Sequence, residues 1–209
     1  MKKPQGKQRA TRFTAPVFKT GIKRQVWFTF DDGPHPIRTA KVLETLSVHE
    51  ITACFFLIGK NAELYPALVA LMVREGHRVC NHTYWHPQLT TLTAVQVRQE
   101  MKRTEQALGT HLKSPKLFRP PFGAHNATVD SVVAGLGYRT ILWNVDTVDW
   151  NKVFQPDKWV THGIAQIKAR SSSVVLNHDI HATTAAHLDT FIRKIKRLGN
   201  VQFMQASSL

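Results

Sequence analysis

The sequence predicts an α/β protein in which parallel strands alternate with helical crossovers. Three observations carry that expectation. Short apolar runs of strand length alternate with longer segments of helical spacing, about seven times over. Glycine, proline and asparagine punctuate the junctions between them. The polar residues capable of chemistry fall just after the strand-like runs, and in parallel α/β architectures those strand ends form one rim. Crossovers of this kind are right-handed, and a closed barrel or an open doubly wound sheet satisfies the order equally.

Residues 1–24 read as a basic, polar arm, and 25–209 as a single domain. Residues 26–30 are an apolar strand that ends in Asp31-Asp32-Gly33-Pro34, where glycine and proline stop regular structure. Residues 37–48 have helical spacing through Ile37, Ala40, Val42, Leu43 and Leu46. Residues 51–58 form a second strand, closed by Gly59, and Asn61 is placed to cap a helix running to about Arg74. Residues 76–80 are a third strand, followed directly by Asn81 and His82. Residues 93–108 are helical, with Thr93 and Gln96 in capping-box spacing. Leu117 and Phe118 form a short strand entering Arg119-Pro120-Pro121-Phe122-Gly123. Residues 126–136 are a helix ended by Gly137, and 139–145 a strand leading to Asp146. A helix over 156–169, a β-branched strand over 173–176 ending at His178, a helix over 184–198 and a strand over 201–204 complete the chain.

The balance of 28 basic against 14 acidic residues gives a formal charge of +14 over 209 residues. Residues 1–25 contain Lys2, Lys3, Lys7, Arg9, Arg12, Lys19, Lys23 and Arg24 and no acid, and Arg193, Lys194, Lys196 and Arg197 cluster near the C-terminus. Such a surface attracts polyanions, or is simply a solvated basic face. Aromatic residues do not interleave with these charges, and no nucleic-acid-binding motif is present, so no specific nucleic-acid partner is expected. No run approaches the roughly 18 apolar residues of a membrane span. No apolar segment follows the basic start, so no secretory signal is expected there. Cys54 and Cys80 are too few for a disulfide scaffold and lack metal-cluster spacing, which leaves two buried free thiols. A monomer is expected.

Five segments bring chemistry to the predicted rim. Asp31 and Asp32 are adjacent carboxylates, which repel and need a cation or a proton to coexist once buried; alone, Asp-Gly-Pro is ordinary turn chemistry. His82 and His86 can share a metal if the segment between them makes a helical turn, although Pro87 disfavours helix through His86. Asp32, His82 and His86 together supply three protein ligands and leave positions open, the pattern of a catalytic rather than a structural site. Arg119 has the planar fork that holds a carboxylate in one orientation. His178 titrates near neutrality and can protonate a leaving amine, and Asp149 can orient it and raise its pKa. Taken singly, Arg119 is an ordinary surface arginine and Asp149-Trp150 a turn acid followed by a core aromatic.

Together, Thr29-Phe30-Asp31-Asp32-Gly33-Pro34, His82-Thr83-x-x-His86, Arg119-Pro120-Pro121-Phe122-Gly123, Asp146-x-x-Asp149-Trp150 and Leu176-Asn177-His178 resemble the NodB-type polysaccharide deacetylases, carbohydrate esterase family 4, in motif and in order, over about residues 25–205. The resemblance implies a distorted (β/α)7 barrel and metal-dependent removal of N-acetyl groups from an amino-sugar polymer, peptidoglycan or a chitin-like glycan. It implies Asp31 as general base, Asp32, His82 and His86 as ligands of a divalent metal, usually Zn2+, and Arg119 as the residue orienting Asp31. It implies an oxyanion donor in the backbone N–H of Phe122, His178 as general acid tuned by Asp149, and Trp150 and Leu176 as walls for the acetyl methyl. An extracytoplasmic location, in periplasm or cell wall, also follows from it. Cys80 stands where a smaller residue is usual, so it is either a thiol near the metal or a packed apolar residue. Trp85 and Phe122 are candidates for sugar stacking, and His181 and His187 match no role. An O-acetyl esterase on xylan would use the same groups. A non-catalytic polyanion or wall binder should have lost some of them, and none is missing.

Overall fold

The protein was described from a computed structural model covering residues 23–209, so the expected arm over 1–24 lies outside the described residues except for Lys23 and Arg24. Eight strands form one parallel sheet, and seven of them follow the order β5-β4-β3-β2-β1-β7-β6. They are β1 (Arg24–Asp31), β2 (Cys54–Leu57), β3 (Arg78–Asn81), β4 (Lys116–Phe118), β5 (Tyr138–Thr140), β6 (Val145–Asp146) and β7 (Ser172–His178). The eighth, β8 (Val201–Phe203), pairs with the start of β1 on the edge that β2 takes further along. The sheet curls into the distorted (β/α) barrel that the sequence led one to expect.

Period-2 alternation explains which residues enter the barrel. Val26, Phe28 and Phe30 of β1, Phe55 and Leu57 of β2, Val79 of β3 and Val175 of β7 belong to the large core between the sheet and its helices. That core is closed by α1 (Arg38–Val48), α3 (Pro66–Arg74), α6 (Lys158–Lys168) and α7 (Ala182–Arg197), the last presenting Leu188, Phe191, Ile192 and Ile195 along one stripe. A second core joins Phe118 of β4 to α4 (Ala94–Leu108) and α5 (Ala127–Gly135). The alternate residues point inward. Cys54, Phe56, Cys80 and Leu117 fill the lower barrel, where the C-terminal segment seals it with Ala206 and Leu209. One step further along the same strands lie Asp31, His82, Arg119 and His178 at the upper rim.

Three local expectations are corrected. The helix expected from Asn61 to Arg74 is two helices, α2 (Gly59–Leu64) and α3, because Pro66 has no N–H to donate and its ring displaces the preceding turn. Asn61 therefore lies inside α2 rather than capping it, and its Nδ2 donates to the Asp32 carbonyl at 2.8 Å. The strand expected over 139–145 is also two. β5 pairs with β4 at one edge of the sheet and β6 with β7 at the other. β5 and β6 do not pair, so residues 141–144 cross an open seam in the barrel. The capping box at Thr93 and Gln96 is present as expected.

Candidate active site

The register sets the spacing of the rim. Asp31 is level with His178 on β7 and with Phe56 on β2, Asn81 is level with Phe118, and Asp146 is level with Leu176. Adjacent strands lie about 4.8 Å apart, so six loops converge on one cleft. It has a volume of about 430 Å³ and is lined by Asp31, Asp32, His82, His86, Phe122, Trp143, Asp146, Trp150, Leu176, His178 and His181. Arg119 and Asp149 do not line it, because both are fully buried one layer behind.

Asp31 ends β1 in extended backbone, whereas Asp32 takes φ 75, in the left-handed region that aspartate tolerates better than most residues. That reversal sends adjacent carboxylates in different directions. Asp31 Oδ1 accepts from Arg119 Nη1 at 2.7 Å, while its Oδ2 lies 3.7 Å from His82 Nε2. Asp32 Oδ1 lies 3.5 Å from His82 Nε2 and 3.3 Å from His86 Nε2. It has no hydrogen-bond partner although it is buried. His82 and His86 do not lie on a helical turn as the spacing had suggested. Thr83 and His86 adopt φ 65 and 60, and these two left-handed residues fold the loop back so that the imidazole centroids stand 5.0 Å apart.

Asp32, His82 and His86 each offer one ligand atom, all within 4.8 Å of one another. The chemistry of this set suits a divalent ion. His82 Nδ1 lies 2.7 Å from the Arg119 carbonyl, which fixes that nitrogen as the N–H and leaves the Nε2 lone pair facing Asp32. Burial, with His82 nearby, lowers the His86 pKa and keeps its ring neutral, as a ligand must be. Burial works against charge on Asp32, but the positive potential of the imidazoles around it, His82 first and then His178 and His86, outweighs it and holds the carboxyl well below the usual carboxylate range. An orphaned, ionised carboxylate oxygen facing the His82 lone pair and the His86 ring nitrogen is satisfied by a cation.

Arg119 closes the seam of the barrel. Its Nε donates to the Ile141 carbonyl at 3.0 Å and Nη2 to Leu142 at 3.2 Å, which satisfies two carbonyls that no strand partner reaches. Nη1 donates to Thr29 Oγ1 at 2.9 Å as well as to Asp31. Across the cleft, His178 Nδ1 meets Asp149 Oδ1 at 2.7 Å, while Asp149 Oδ2 accepts from the His178 backbone N–H at 2.8 Å and from Thr184 Oγ1 at 2.6 Å. Burial disfavours the His178 imidazolium, but the charge and hydrogen bond of Asp149, with Asp32 and Asp31, push its pKa up to about 9.

Phe122 (66% exposed) and Trp150 (50% exposed) stand at the mouth, and Leu176 is buried at the base. Phe122 packs edge-on against His86, with centroids 4.7 Å apart. Cys80 packs into the lower barrel with Cys54 and Phe56, both thiols free. Burial, with Cys54 beside it, pushes its pKa up, so it is a packed apolar residue and not a metal-site thiolate. His181 lines the cleft; burial lowers its pKa. His187 does not line it. Sequence reasoning missed Trp143 as a lining residue and gave Asp146 no role. Asp146 was visible as a polar residue at a strand end. Trp143 lies in the seam crossing, whose place depends on a strand break that periodicity does not reveal.

A family model described as polysaccharide deacetylase matches residues 19–141, more than half of the chain. The peptidoglycan-N-acetylglucosamine deacetylase PgdA of Listeria monocytogenes is 38% identical over 188 residues, 88% of this chain, which thus spans only 38% of that relative's length. The chitooligosaccharide deacetylase of Bradyrhizobium sp. is 36% identical over 158 residues, 75% of this chain and 71% of that protein. A family 4 carbohydrate esterase from Streptomyces lividans, solved in complex with acetate, superposes with TM-score 0.76 and 35% identity over 86% of this chain and 91% of its own. Sequence, fold and rim motifs agree, and the chain belongs to the polysaccharide deacetylase family.

Proposed function

We propose that this chain is a divalent-metal-dependent deacetylase that hydrolyses N-acetyl groups of an amino-sugar polymer, with peptidoglycan or a chitin-like glycan as substrate. The observation that carries the reading is the opposition across one cleft of the Asp32–His82–His86 cluster with Arg119-held Asp31 on one side and the His178–Asp149 pair on the other. A divalent ion held by the cluster, Zn2+ in this reading, would supply Lewis-acid polarisation of the acetyl carbonyl and acidify water beside it. Asp31 then acts as general base through Oδ2, because Oδ1 is committed to Arg119. The fixed guanidinium keeps that carboxylate aimed. Phe122 sits in the left-handed region at φ 60, and its backbone N–H is the donor assigned to the developing oxyanion. His178 holds its proton at neutral pH. With Nδ1 held by Asp149, it delivers that proton from Nε2 to the leaving amine as acetate departs. Trp150 and Leu176 wall the part of the cleft that receives the acetyl methyl.

Residues 25–209 form the catalytic domain in this reading, with residues 1–24 as a basic arm. The site of action is extracytoplasmic, on a wall or sheath glycan; among the described residues no helix is long and apolar enough to cross a membrane. The test is acetate release from N-acetylglucosamine oligomers and from purified peptidoglycan, after chelation and again after adding Zn2+. Restored release on metal addition is the expected result. No release from either, with metal bound, sends the assignment to O-acetylated xylan and then to a binding role, for which retention on peptidoglycan against heparin is the assay.

A further inference from the structure

The loop that carries His82 and His86 also carries Trp85, which is 52% exposed outside the cleft lining. Its ring is flanked by two cations. Lys60 Nζ stands 4.7 Å from the indole centroid, and the Arg103 guanidinium 5.6 Å from it and 3.6 Å from the Tyr84 ring. Both side chains are exposed, and neither forms an ion pair among the described residues. Glu100 and Glu63 bind the loop rather than the cations. Glu100 Oε2 accepts from the backbone N–H of Tyr84 at 2.9 Å and of Trp85 at 2.8 Å, and Glu63 accepts from the Tyr84 hydroxyl at 2.6 Å. These bonds tie the loop to α2 and α4 and involve neither cation. Arg98 and Lys102, with Gln99 and Glu100 between them, continue along α4 as a shallow groove beside Arg103.

Trp85 and its cations stand beside the cleft, whose own lining mixes three aspartates with four histidines. An anionic substituent on the neighbouring sugar, laid toward Trp85, meets an aromatic face and two cations that form no ion pair among the described residues. We propose that Trp85, Lys60 and Arg103 form a subsite for a carboxylate-bearing sugar unit adjoining the acetamido sugar that is hydrolysed, so that the enzyme selects glycans in which the two alternate. This inference rests on the deacetylase reading and sharpens its substrate class. Aromatic stacking supplies the affinity common to all glycans, and the charge pair supplies the discrimination.

The test uses three tetramers of equal length: one of N-acetylglucosamine alone, one with a lactyl-ether carboxylate on alternate units, and the methyl ester of the second. With the Zn2+-loaded full chain, kcat/KM for acetate release should favour the acid over its ester by roughly three- to tenfold at low salt, carried by KM, and the preference should shrink as salt rises. The double variant Lys60→Gln/Arg103→Gln should equalise acid and ester while leaving the N-acetylglucosamine tetramer within about twofold of its original rate. The charge-keeping pair Lys60→Arg/Arg103→Lys should restore the preference, which a merely structural role would not do. Equal rates on acid and ester in the unaltered protein, or a preference that survives Lys60→Gln/Arg103→Gln, overturns the subsite. If no tetramer is deacetylated by the metal-loaded protein, the deacetylase reading fails by itself. Calorimetric binding of acid against ester, in the original and double-variant proteins, then decides the subsite separately: tighter acid binding lost in the variant supports it, and equal binding overturns it.

Discussion

Asp31 and Asp32 are neighbours in the chain and face different groups because one residue is extended and the next is left-handed. In the proposed mechanism, removing the charge of Asp31 alone should therefore separate catalysis from metal binding. Asp31→Asn should lower kcat by roughly 10²- to 10⁴-fold while the protein still carries one metal equivalent by elemental analysis; full activity in that variant would remove Asp31 from the role of base. His178 offers a pH test. Its pKa of about 9 means the proton-donating form persists through neutrality and activity falls on the alkaline side. Asp149→Asn removes the main raising influence and should move that alkaline limb toward the ordinary imidazole value. A dication in the cluster repels the imidazolium, so the His178 resonance should titrate lower in metal-loaded than in metal-free protein by NMR. The same raised value sets a stability window. The contribution of the His178–Asp149 pair is fully present below about pH 6.5, where the unfolded imidazole is also charged, and is lost as pH rises through about 9.

At the scale of elements, the open seam between β5 and β6 decides the place of Arg119. Its guanidinium serves four acceptors with a geometry that an ammonium cannot copy: the Ile141 and Leu142 carbonyls, Thr29 and Asp31. Arg119→Lys keeps the charge but strands at least one of the half-buried seam carbonyls and loosens the hold on buried Asp31. It should cost about 3 kcal/mol in denaturant unfolding as well as activity; a change under about 1 kcal/mol would mean that water or backbone shift fills the seam. The capping box of α4 is a separate and smaller matter, and Thr93→Ala should cost about 1 kcal/mol with activity intact. These elements also show where the sequence was legible. The apolar run over 26–30 marked β1 and so placed Asp31 and Asp32 at its end, and the capping pair was readable from two letters. The break at Pro66 was readable as well, since the ring alone dictates it, but helical spacing across 61–74 masked it. The split into β5 and β6 was not readable, because each is two or three residues long and its partner is chosen by register across the barrel. Trp143, carried on that crossing, was hidden with it.

For the whole molecule, parallel strands put every functional loop on one rim, so residues 31 to 178 reach one cleft from chain positions that share no local contact. The site motifs were legible because each occupies a few consecutive residues after a strand. Their mutual distances were not, because those depend on how tightly the barrel curls. The cluster at Asp32, His82 and His86 joins β1 to β3 through the loops that follow them, so an ion bound there ties two separately connected parts of the barrel together in the folded state alone. By linkage, that ion stabilises the fold by RT ln(1 + [M]/Kd), roughly 2.7 kcal/mol at a hundred times Kd. For a domain of this size that amounts to about 5–10 °C in Tm. Chelated protein should therefore melt several degrees lower than protein with excess Zn2+. The shift should grow with the logarithm of metal concentration and vanish in His82→Ala. Alanine leaves Asp32 with a single imidazole partner, and deacetylation should vanish with it. An equal metal-induced shift in His82→Ala would place the ion elsewhere on the protein, and the absence of a shift in the unaltered chain would leave the orphaned oxygen of Asp32 without the cation that its burial demands.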